Sequence, residues 1–189
     1  MENRERLLRL MRQSAHQPMY LALDGRCAAG KTTLAAELQS ALACNVVHMD
    51  DFYLPFDRRT EEIMARPGGN MDFDRLCREV LDPLAQGENA IYRPYDCHAD
   101  RFLSERRLCA ALPTIVEGSY SCHPALRARY DLRVFLDVSP EEQGRRLTAR
   151  DPSAVERFRC IWIPREERYF TACRVRECCD LVLWGGEMG

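Results

Sequence analysis

Lysine is almost absent from this chain: of its 27 basic residues, all except Lys31 are arginine. Arginine maintains charge and solubility at a surface as well as lysine does, but its planar guanidinium cannot replace a compact ammonium among closely packed oxygens. A chain that uses arginine everywhere else and lysine at one position is expected to need an ammonium there. Lys31 is therefore the first candidate functional residue.

Three further absences narrow the class of protein. No apolar run approaches the roughly 18 residues needed to cross a bilayer, and the charged N-terminal segment MENRERLLRLMRQ lacks the apolar stretch of a secretory signal. The net charge of −2 comes with no basic stripe, which argues against a nucleic-acid partner. We therefore expect a cytoplasmic protein that has neither a membrane nor a nucleic acid as its partner.

The cysteines lack the spacing of a metal site. The ten cysteines include no C-x-x-C pair, so zinc is not expected, and without a secretory signal they are expected to be thiols. A chain of 189 residues, 46% hydrophobic and 30% charged, is of ordinary size for one soluble domain. We expect a single domain over 1–189, with an N-terminal amphipathic helix within 1–17.

The segment around Lys31 matches the phosphate-binding pattern G-x-x-x-x-G-K-[ST]. In this pattern, backbone N–H groups and a helix N-terminus surround the phosphates, the lysine reaches the β- and γ-phosphates, and the next hydroxyl, here Thr32, binds Mg²⁺. An apolar strand at 19–23 precedes the pattern and a helix at 31–43 follows it, as such a loop requires. The predicted nucleotide-binding residues are Gly25, Arg26, Cys27, Ala28, Ala29, Gly30, Lys31, Thr32 and Thr33.

Four other short apolar runs indicate strands, at 45–49, 113–118, 133–138 and 180–184. Apolar strands that are separated by helices and lack polar alternation are typical of a parallel sheet covered on both faces. We therefore predict an α/β fold with a five-stranded parallel sheet and helices on both of its faces.

Acidic residues end three of these strands, at the edge of the sheet where ligands bind. Loops follow Asp50 and Glu117, so we expect both carboxylates near the phosphates. In a phosphoryl-transfer site, Asp50 would orient the hydroxyl that accepts the phosphoryl group and would take its proton. Thr32 with Glu117 or Asp50 would hold the metal. A helix-start signal directly follows Asp137, which we expect to be a solvated strand end.

Arginine is concentrated after the fourth predicted strand, at Arg145, Arg146, Arg150, Arg157 and Arg159. Because these arginines follow a strand of the parallel sheet, we expect them at the same edge of the sheet as the bound phosphates. We expect a short lid over about 150–165, in which Arg150 and Arg157 above all would neutralise the transferring phosphoryl group.

Five segments resemble the uridine kinase family, especially its small bacterial members. They are DGRCAAGKTT at 24–33, HMDDFY at 48–53, PGGNMD at 67–72, YRPYD at 92–96 and VEGSY at 116–120. The resemblance extends over about 19–184. It implies the P-loop kinase fold with a mobile lid, ATP and Mg²⁺ as cofactors, and transfer of the γ-phosphoryl group to a primary hydroxyl of uridine or cytidine.

The resemblance also implies roles for individual residues. Asp50 matches the catalytic aspartate of the family, and Tyr53, Asp72 and Tyr95 match residues that contact the nucleoside. His98 lies near a base-contacting histidine of the family. Asp51 belongs to the same group of carboxylates and aromatic rings, which suits a nucleoside or another polyol.

The residues leave other functions open. A kinase for another small hydroxylated acceptor, such as pantothenate, a glycerate or a sugar, would need the same phosphate loop. So would a non-catalytic nucleotide-binding protein. A GTPase is disfavoured because the sequence has no Asn-Lys-x-Asp segment to bind the guanine base. The sequence leaves a homo-oligomer open.

Overall fold

A computed structural model describes residues 2–185. The strands are β1 (Tyr20–Gly25), β2 (Asn45–His48), β3 (Ala90–Tyr92), β4 (Tyr95–Asp96), β5 (Arg101–Phe102), β6 (Arg106–Leu108), β7 (Thr114–Glu117), β8 (Leu132–Asp137) and β9 (Leu181–Trp184). The helices are α1 (Glu2–Gln13), α2 (Lys31–Ala41), α3 (Glu61–Ala65), α4 (Phe73–Leu76), α5 (Asp82–Ala85), α6 (Pro140–Arg150), α7 (Val155–Arg157), α8 (Ile163–Ala172) and α9 (Val175–Cys178).

The main sheet has the order β2-β7-β1-β8-β9, and all its pairings are parallel. Successive residues of β1 point to opposite faces. Leu21 and Leu23 pack into the core cluster that includes residues of α1 and α2, whereas Ala22 belongs to the cluster that includes Tyr169 of α8. Both faces are therefore covered by helices, and the predicted α/β fold with a five-stranded parallel sheet is confirmed.

Helix α1 packs against one of these faces. Its Leu7, Leu8 and Met11 are buried, as the apolar pattern of this segment predicts. The first turn of the helix is thereby fixed near the carboxyl end of β9, where the Asn3 side-chain amide donates a hydrogen bond to the carbonyl oxygen of Trp184 at 2.7 Å. Among residues 2–185, no helix is both long and apolar enough to span a bilayer.

Prolines distort two of the helical segments. The helical segment from α4 to α5 contains a π-helical turn, Cys77–Leu81, just before Pro83. A second π-helical turn, Phe158–Trp162, comes just before Pro164, within the segment predicted to be a lid. In each, the residue before the proline donates its N–H to the carbonyl five residues earlier. The wider turn accommodates a ring that has no N–H to donate.

The segment between α5 and β7 forms two small antiparallel pairs, β3 with β6 and β4 with β5. The sequence did not predict them, because strands of two or three residues are too short to show a periodic pattern. The long connection between β2 and α4 includes helix α3, whose N-terminus is capped by the Thr60 hydroxyl. Of these segments, only residues 94–98 and Leu103 line the cavity described below.

The His123 ring is packed where protonation is unfavourable. It stacks on Phe73 with ring centroids 4.0 Å apart, and burial together with nearby Arg127 lowers the pKa of His123 to about 4. In the unfolded chain the pKa is about 6.5. The folded state therefore binds fewer protons than the unfolded state, and stability falls as the pH drops from about 6.5 to about 4.

We expect His123→Gln to reduce this acid sensitivity. The wild-type free energy of unfolding should fall by about 2 kcal/mol more than that of the variant between pH 7 and pH 4. Chemical denaturation at both pH values measures the difference. The exposed His98, replaced in the same way, is the control and should leave the wild-type pH dependence unchanged. An unaltered pH dependence in His123→Gln would contradict the prediction.

Candidate active site

The loop between β1 and α2 is shaped by two glycines. Gly25 has φ of +135°, and a Cβ atom there would lie 2.0 Å from the carbonyl oxygen of Leu136 on the neighbouring strand β8. Gly30, with φ of +99°, forms the N-cap of α2. Both positions need a residue without a side chain. The loop therefore begins against β8 and ends at a helix N-terminus, the arrangement that binds phosphate groups in many proteins.

The single lysine of the chain lies inside this loop. The Lys31 side chain is buried, and its Nζ donates hydrogen bonds to the carbonyl oxygens of Gly25 at 2.7 Å and Arg26 at 2.8 Å. An ammonium has three N–H donors, so one remains for another acceptor. A guanidinium is larger and planar and could not occupy the same space. This geometry agrees with the expectation that position 31 needs a compact ammonium among closely packed oxygen atoms.

Side chains of α6 hold the outer side of the loop. The Gln143 amide donates to the carbonyl oxygen of Cys27 at 3.0 Å, and Arg146 donates to the carbonyl oxygens of Ala28 at 3.1 Å and Ala29 at 3.2 Å. Glu142 in turn pairs with Arg146 at 2.6 Å. These bonds fix the loop before any ligand arrives, which reduces the entropy lost on binding.

Two consecutive glutamates of α8 hold the loop from the other side. The buried Glu166 accepts a hydrogen bond from the Cys27 backbone N–H at 3.0 Å and another from the Ser119 hydroxyl, and Glu167 pairs with Arg26. Burial and the Glu166 charge raise the pKa of the Cys27 thiol to about 12, so this thiol stays protonated at neutral pH. Sequence reasoning missed both glutamates, because α8 lies about 140 residues away along the chain and carries no pattern that links it to the loop.

Asp137 differs from the prediction. It was expected to be a solvated strand end, but it is buried and pairs with Arg26 at 2.8 Å and with Arg176. A buried carboxylate is stable only when charged groups and N–H donors compensate it, and arginines from two distant segments do so here. The role of Asp137 in the fold is to hold Arg26, which belongs to the phosphate loop.

Two of the predicted acidic residues lie beside the loop. Strand β7 pairs directly with β1, and its last residue, Glu117, accepts a hydrogen bond from the Thr32 hydroxyl at 3.1 Å. His48, at the end of β2, lies 2.6 Å from the same carboxylate, and this contact raises the pKa of His48. The strand order therefore brings a carboxylate to the hydroxyl that begins α2.

Asp50 follows β2 in a 3-10 turn, Met49–Phe52, and its carboxylate is open to the cavity described below. Surrounding protein atoms and the charge of Glu117 raise the pKa of Asp50, although the Tyr53 hydroxyl and the Lys31 ammonium partly oppose the shift. Burial, followed by the charge of Asp50, raises the pKa of Tyr53 well above its ordinary value. Asp50 is thus a carboxylate with an increased affinity for protons, close to the phosphate loop.

The oxygen atoms at this position are of the kind that Mg²⁺ binds. Thr32 provides a hydroxyl, and Glu117 and Asp50 provide carboxylates whose mutual repulsion a cation would relieve. Among the described residues, no group of three or more His, Cys, Asp or Glu side chains is arranged to hold a metal by itself. This fits Mg²⁺, which is usually held by one or two protein groups together with phosphates and water.

A cavity of about 1000 Å³ joins these elements. It contains most of the predicted site residues. Those that line it are Cys27, Ala28, Ala29, Gly30, Lys31, Thr32, Thr33, Asp50, Asp51, Tyr53, Tyr95, His98, Glu117, Arg150 and Arg157. The two arginines predicted for the lid thus face the same space as the phosphate loop. Arg150 also lies over the ring of Phe158, 5.0 Å from its centre.

Some of the predicted acceptor-binding residues are engaged within the protein. Asp72 does not line the cavity: its carboxylate caps the N-terminus of α4 and pairs with Arg58 at 2.7 Å. Asp51 does line it, but one of its carboxylate oxygens already accepts hydrogen bonds from Tyr92 at 2.9 Å and Arg106 at 2.8 Å. The carboxylate of Asp72 is therefore engaged in the fold, and the charge of Asp51 is partly neutralised by Arg106.

The fold resembles that of known kinases, although no protein-family model matches the chain. A Bacillus stearothermophilus protein described as a possible uridine kinase superposes with a TM-score of 0.74 at 22% identity, over 97% of this chain and 100% of that one. A Silicibacter sp. TM1040 protein, provisionally named a fructose transport system kinase, gives 0.72 at 26% identity over 95% and 98%.

Phosphoribulokinase from Rhodobacter spheroides is more distant, with a TM-score of 0.59 and 12% identity over 88% of this chain and 69% of that one. All three proteins carry the name of a kinase, but the low identities limit the likeness to the fold and leave the substrate undetermined. The parallel five-stranded sheet, the loop around Lys31 and these superpositions agree: the chain has the fold of the P-loop kinases.

Proposed function

We propose that the protein is an ATP-dependent small-molecule kinase that transfers the γ-phosphoryl group to a hydroxyl of a nucleoside, with uridine and cytidine as the first candidates. The observation that carries the proposal is one cavity with two kinds of wall. One wall is the phosphate loop around Lys31, and the other is an acidic, phenol-containing surface that includes Asp50. Phosphoryl transfer needs donor and acceptor held next to each other.

The residues of the phosphate loop would bind and orient the triphosphate. Lys31 would place its remaining N–H donor on the phosphate oxygens, and Thr32 with Glu117 or Asp50 would hold Mg²⁺. Bound Mg²⁺ would offset the negative charge of the phosphates during transfer. Arg150 and Arg157, in a lid over about 150–165, would add positive charge and exclude water from the cavity.

Asp50 is the proposed base for the acceptor hydroxyl. Its raised pKa supports this role, because a carboxylate with a pKa nearer to neutral accepts a proton more readily during the reaction. Tyr53 lies next to Asp50 and would fix the direction of the same hydroxyl. Both groups line the cavity together with the phosphate loop.

The charge of the acceptor wall favours an uncharged acceptor. Asp50 and Asp96 line this part of the cavity, and none of the lining residues from the segments 50–53 and 94–103 is a lysine or an arginine. Asp51 also lines the cavity, but its charge is partly neutralised by Arg106 at 2.8 Å. A carboxylate or phosphate on the acceptor would lie among like charges, which is the usual way in which a site rejects a ligand. Pantothenate and glycerate are therefore disfavoured relative to nucleosides and neutral sugars.

Apolar surface in the same wall favours a nucleoside over a sugar. The exposed Leu103 lines the cavity beside the aspartates, together with the largely buried Tyr95 and Pro94. Flat nucleobases bind well against such side chains, whereas a sugar offers little apolar surface to cover them. The second candidate remains a kinase for a neutral sugar.

A panel of acceptors tests the proposal. With ATP and Mg²⁺, we expect uridine or cytidine to stimulate release of ADP with saturable kinetics. The value of kcat/KM for pantothenate and glycerate should be at least about 100-fold lower, because each like-charge contact costs several kcal/mol. Ribose and fructose are the neutral controls. Faster turnover of an anionic acceptor would refute the charge argument. Binding of ATP without ADP release from any acceptor would indicate a non-catalytic nucleotide-binding protein.

A further inference from the structure

The order of the main sheet divides the cavity into two ends. Strands β7 and β2 lie on one side of β1, and β8 and β9 lie on the other. The proposed acceptor wall belongs to the β2 side. The cavity also extends to the β9 side, where Asn3, Arg4, Arg146 and Gly185 line it. If the phosphates lie in the central loop and the acceptor lies on the β2 side, the β9 side of the cavity is left for the ribose and the base of the nucleotide.

The end of β9 is packed directly on the phosphate loop. A Cβ atom at Gly185 would lie 1.9 Å from the carbonyl oxygen of Ala29, so no side chain fits there. Asn3 is bonded to the residue just before this contact, because its amide nitrogen donates to the carbonyl oxygen of Trp184 at 2.7 Å. Helix α1 is thereby held beside the phosphate loop by a bond to a residue 181 positions further along the chain.

This hydrogen bond also decides which way the Asn3 amide faces. A carbonyl oxygen can accept only from the NH₂ group, so the amide oxygen of Asn3 must point elsewhere. Among the hydrogen bonds of residues 2–185, no donor is assigned to that oxygen. Asn3 is half-buried and lines the cavity, and its oxygen is an acceptor available for a ligand that carries an N–H group.

Arg4 provides a second feature of this end. Arg4 lines the cavity, its guanidinium pairs with the neighbouring Glu5, and about a third of its side chain is exposed (32%). A planar guanidinium stacks well on a flat aromatic ring. Asn3 and Arg4 therefore offer one hydrogen-bond acceptor and one flat cation on the same wall.

We infer that Asn3 and Arg4 form the base-binding end of the nucleotide site and favour adenine over guanine. This inference rests on the proposed kinase function. The Asn3 oxygen would accept a hydrogen bond from the exocyclic amino group of adenine. At the same position guanine carries an oxygen, which would face another acceptor. Arg4 would lie against the ring of either base and would bind both without distinguishing them.

Direct binding measurements with three probes test the inference: ATP, GTP and inorganic tripolyphosphate. Asn3→Ala should weaken ATP binding about 5- to 10-fold, bring the ratio of ATP to GTP affinity close to one, and leave tripolyphosphate binding unchanged. Arg4→Ala should weaken ATP and GTP to a similar extent, about 3-fold, and affect tripolyphosphate less. Arg9→Ala, on the exposed face of the same helix, is the matched control.

The probes separate the possible failures. Unchanged ATP affinity in Asn3→Ala, with wild-type binding of all three probes measurable, would overturn the inference and leave the kinase proposal standing. Loss of tripolyphosphate binding as large as the loss of ATP binding in Arg4→Ala would make Arg4 a phosphate contact and remove it from the base site. A wild-type protein that binds neither ATP nor tripolyphosphate would overturn the kinase proposal itself. Thermal melting of each variant, together with its tripolyphosphate binding, verifies the fold.

Discussion

Replacing Lys31 by arginine is expected to abolish turnover as completely as replacing it by alanine, with kcat/KM reduced at least about 1000-fold in both variants. The ammonium is buried between the carbonyl oxygens of Gly25 and Arg26, and the loop around it leaves no room for a planar guanidinium. The measurement is acceptor-dependent release of ADP, together with the dissociation constant for ATP.

The control for this comparison is the opposite exchange at an exposed position. Arg9→Lys on α1 changes the same two residue types and should leave both quantities at their wild-type values. Activity of Lys31→Arg within about 10-fold of the wild type would show that charge alone suffices there. In that case the presence of one lysine in a chain rich in arginine would have no functional meaning.

The second large effect is expected at Asp50. Asp50→Asn keeps the size of the side chain but removes the base, so kcat should fall about 100- to 10,000-fold. The dissociation constant for ATP should change by less than about 3-fold, because the phosphate loop and its supporting bonds to Gln143 and Arg146 remain in place. Steady-state kinetics and direct titration with ATP provide the two numbers.

Asp57→Asn is the matched control, since Asp57 lies in the segment that follows Asp50 but is exposed and does not line the cavity. It should retain wild-type kinetics. Turnover by Asp50→Asn close to that of the wild type would remove Asp50 from the role of base. A parallel loss of ATP affinity would instead point to a role in holding the metal and the phosphates.

Local sequence patterns were sufficient for the elements that bind phosphate. The loop around Lys31 is recognised by two glycines, a lysine and a following helix, and these residues are close together in sequence. Asp50 and Glu117 were predicted to lie near the loop from one general rule, that the carboxyl ends of parallel strands meet at one edge. The structure brings both carboxylates to the cavity for that reason.

Contacts between distant segments could not be predicted in this way. Asp137 ends strand β8 and Asp72 directly precedes helix α4. The first is buried and pairs with Arg26 and Arg176, whereas the second caps the helix and pairs with Arg58. Glu166 reaches the loop only because α8 packs on the face of the sheet opposite α2. Nothing in the residues next to these acids indicates which arginine or amide they meet.

The sequence by itself determined the five strands of the main sheet and the glycine- and lysine-containing loop that follows β1, because apolar patterns and loop motifs involve only a few neighbouring residues. Only the tertiary structure decided which charges face the cavity and which are neutralised inside the protein. That choice depends on packing between residues far apart in the chain, as where α1 brings Asn3 to the end of β9. A hydrogen bond or an ion pair forms between groups that the fold brings within about 3 Å, and sequence distance sets no limit on which groups those are.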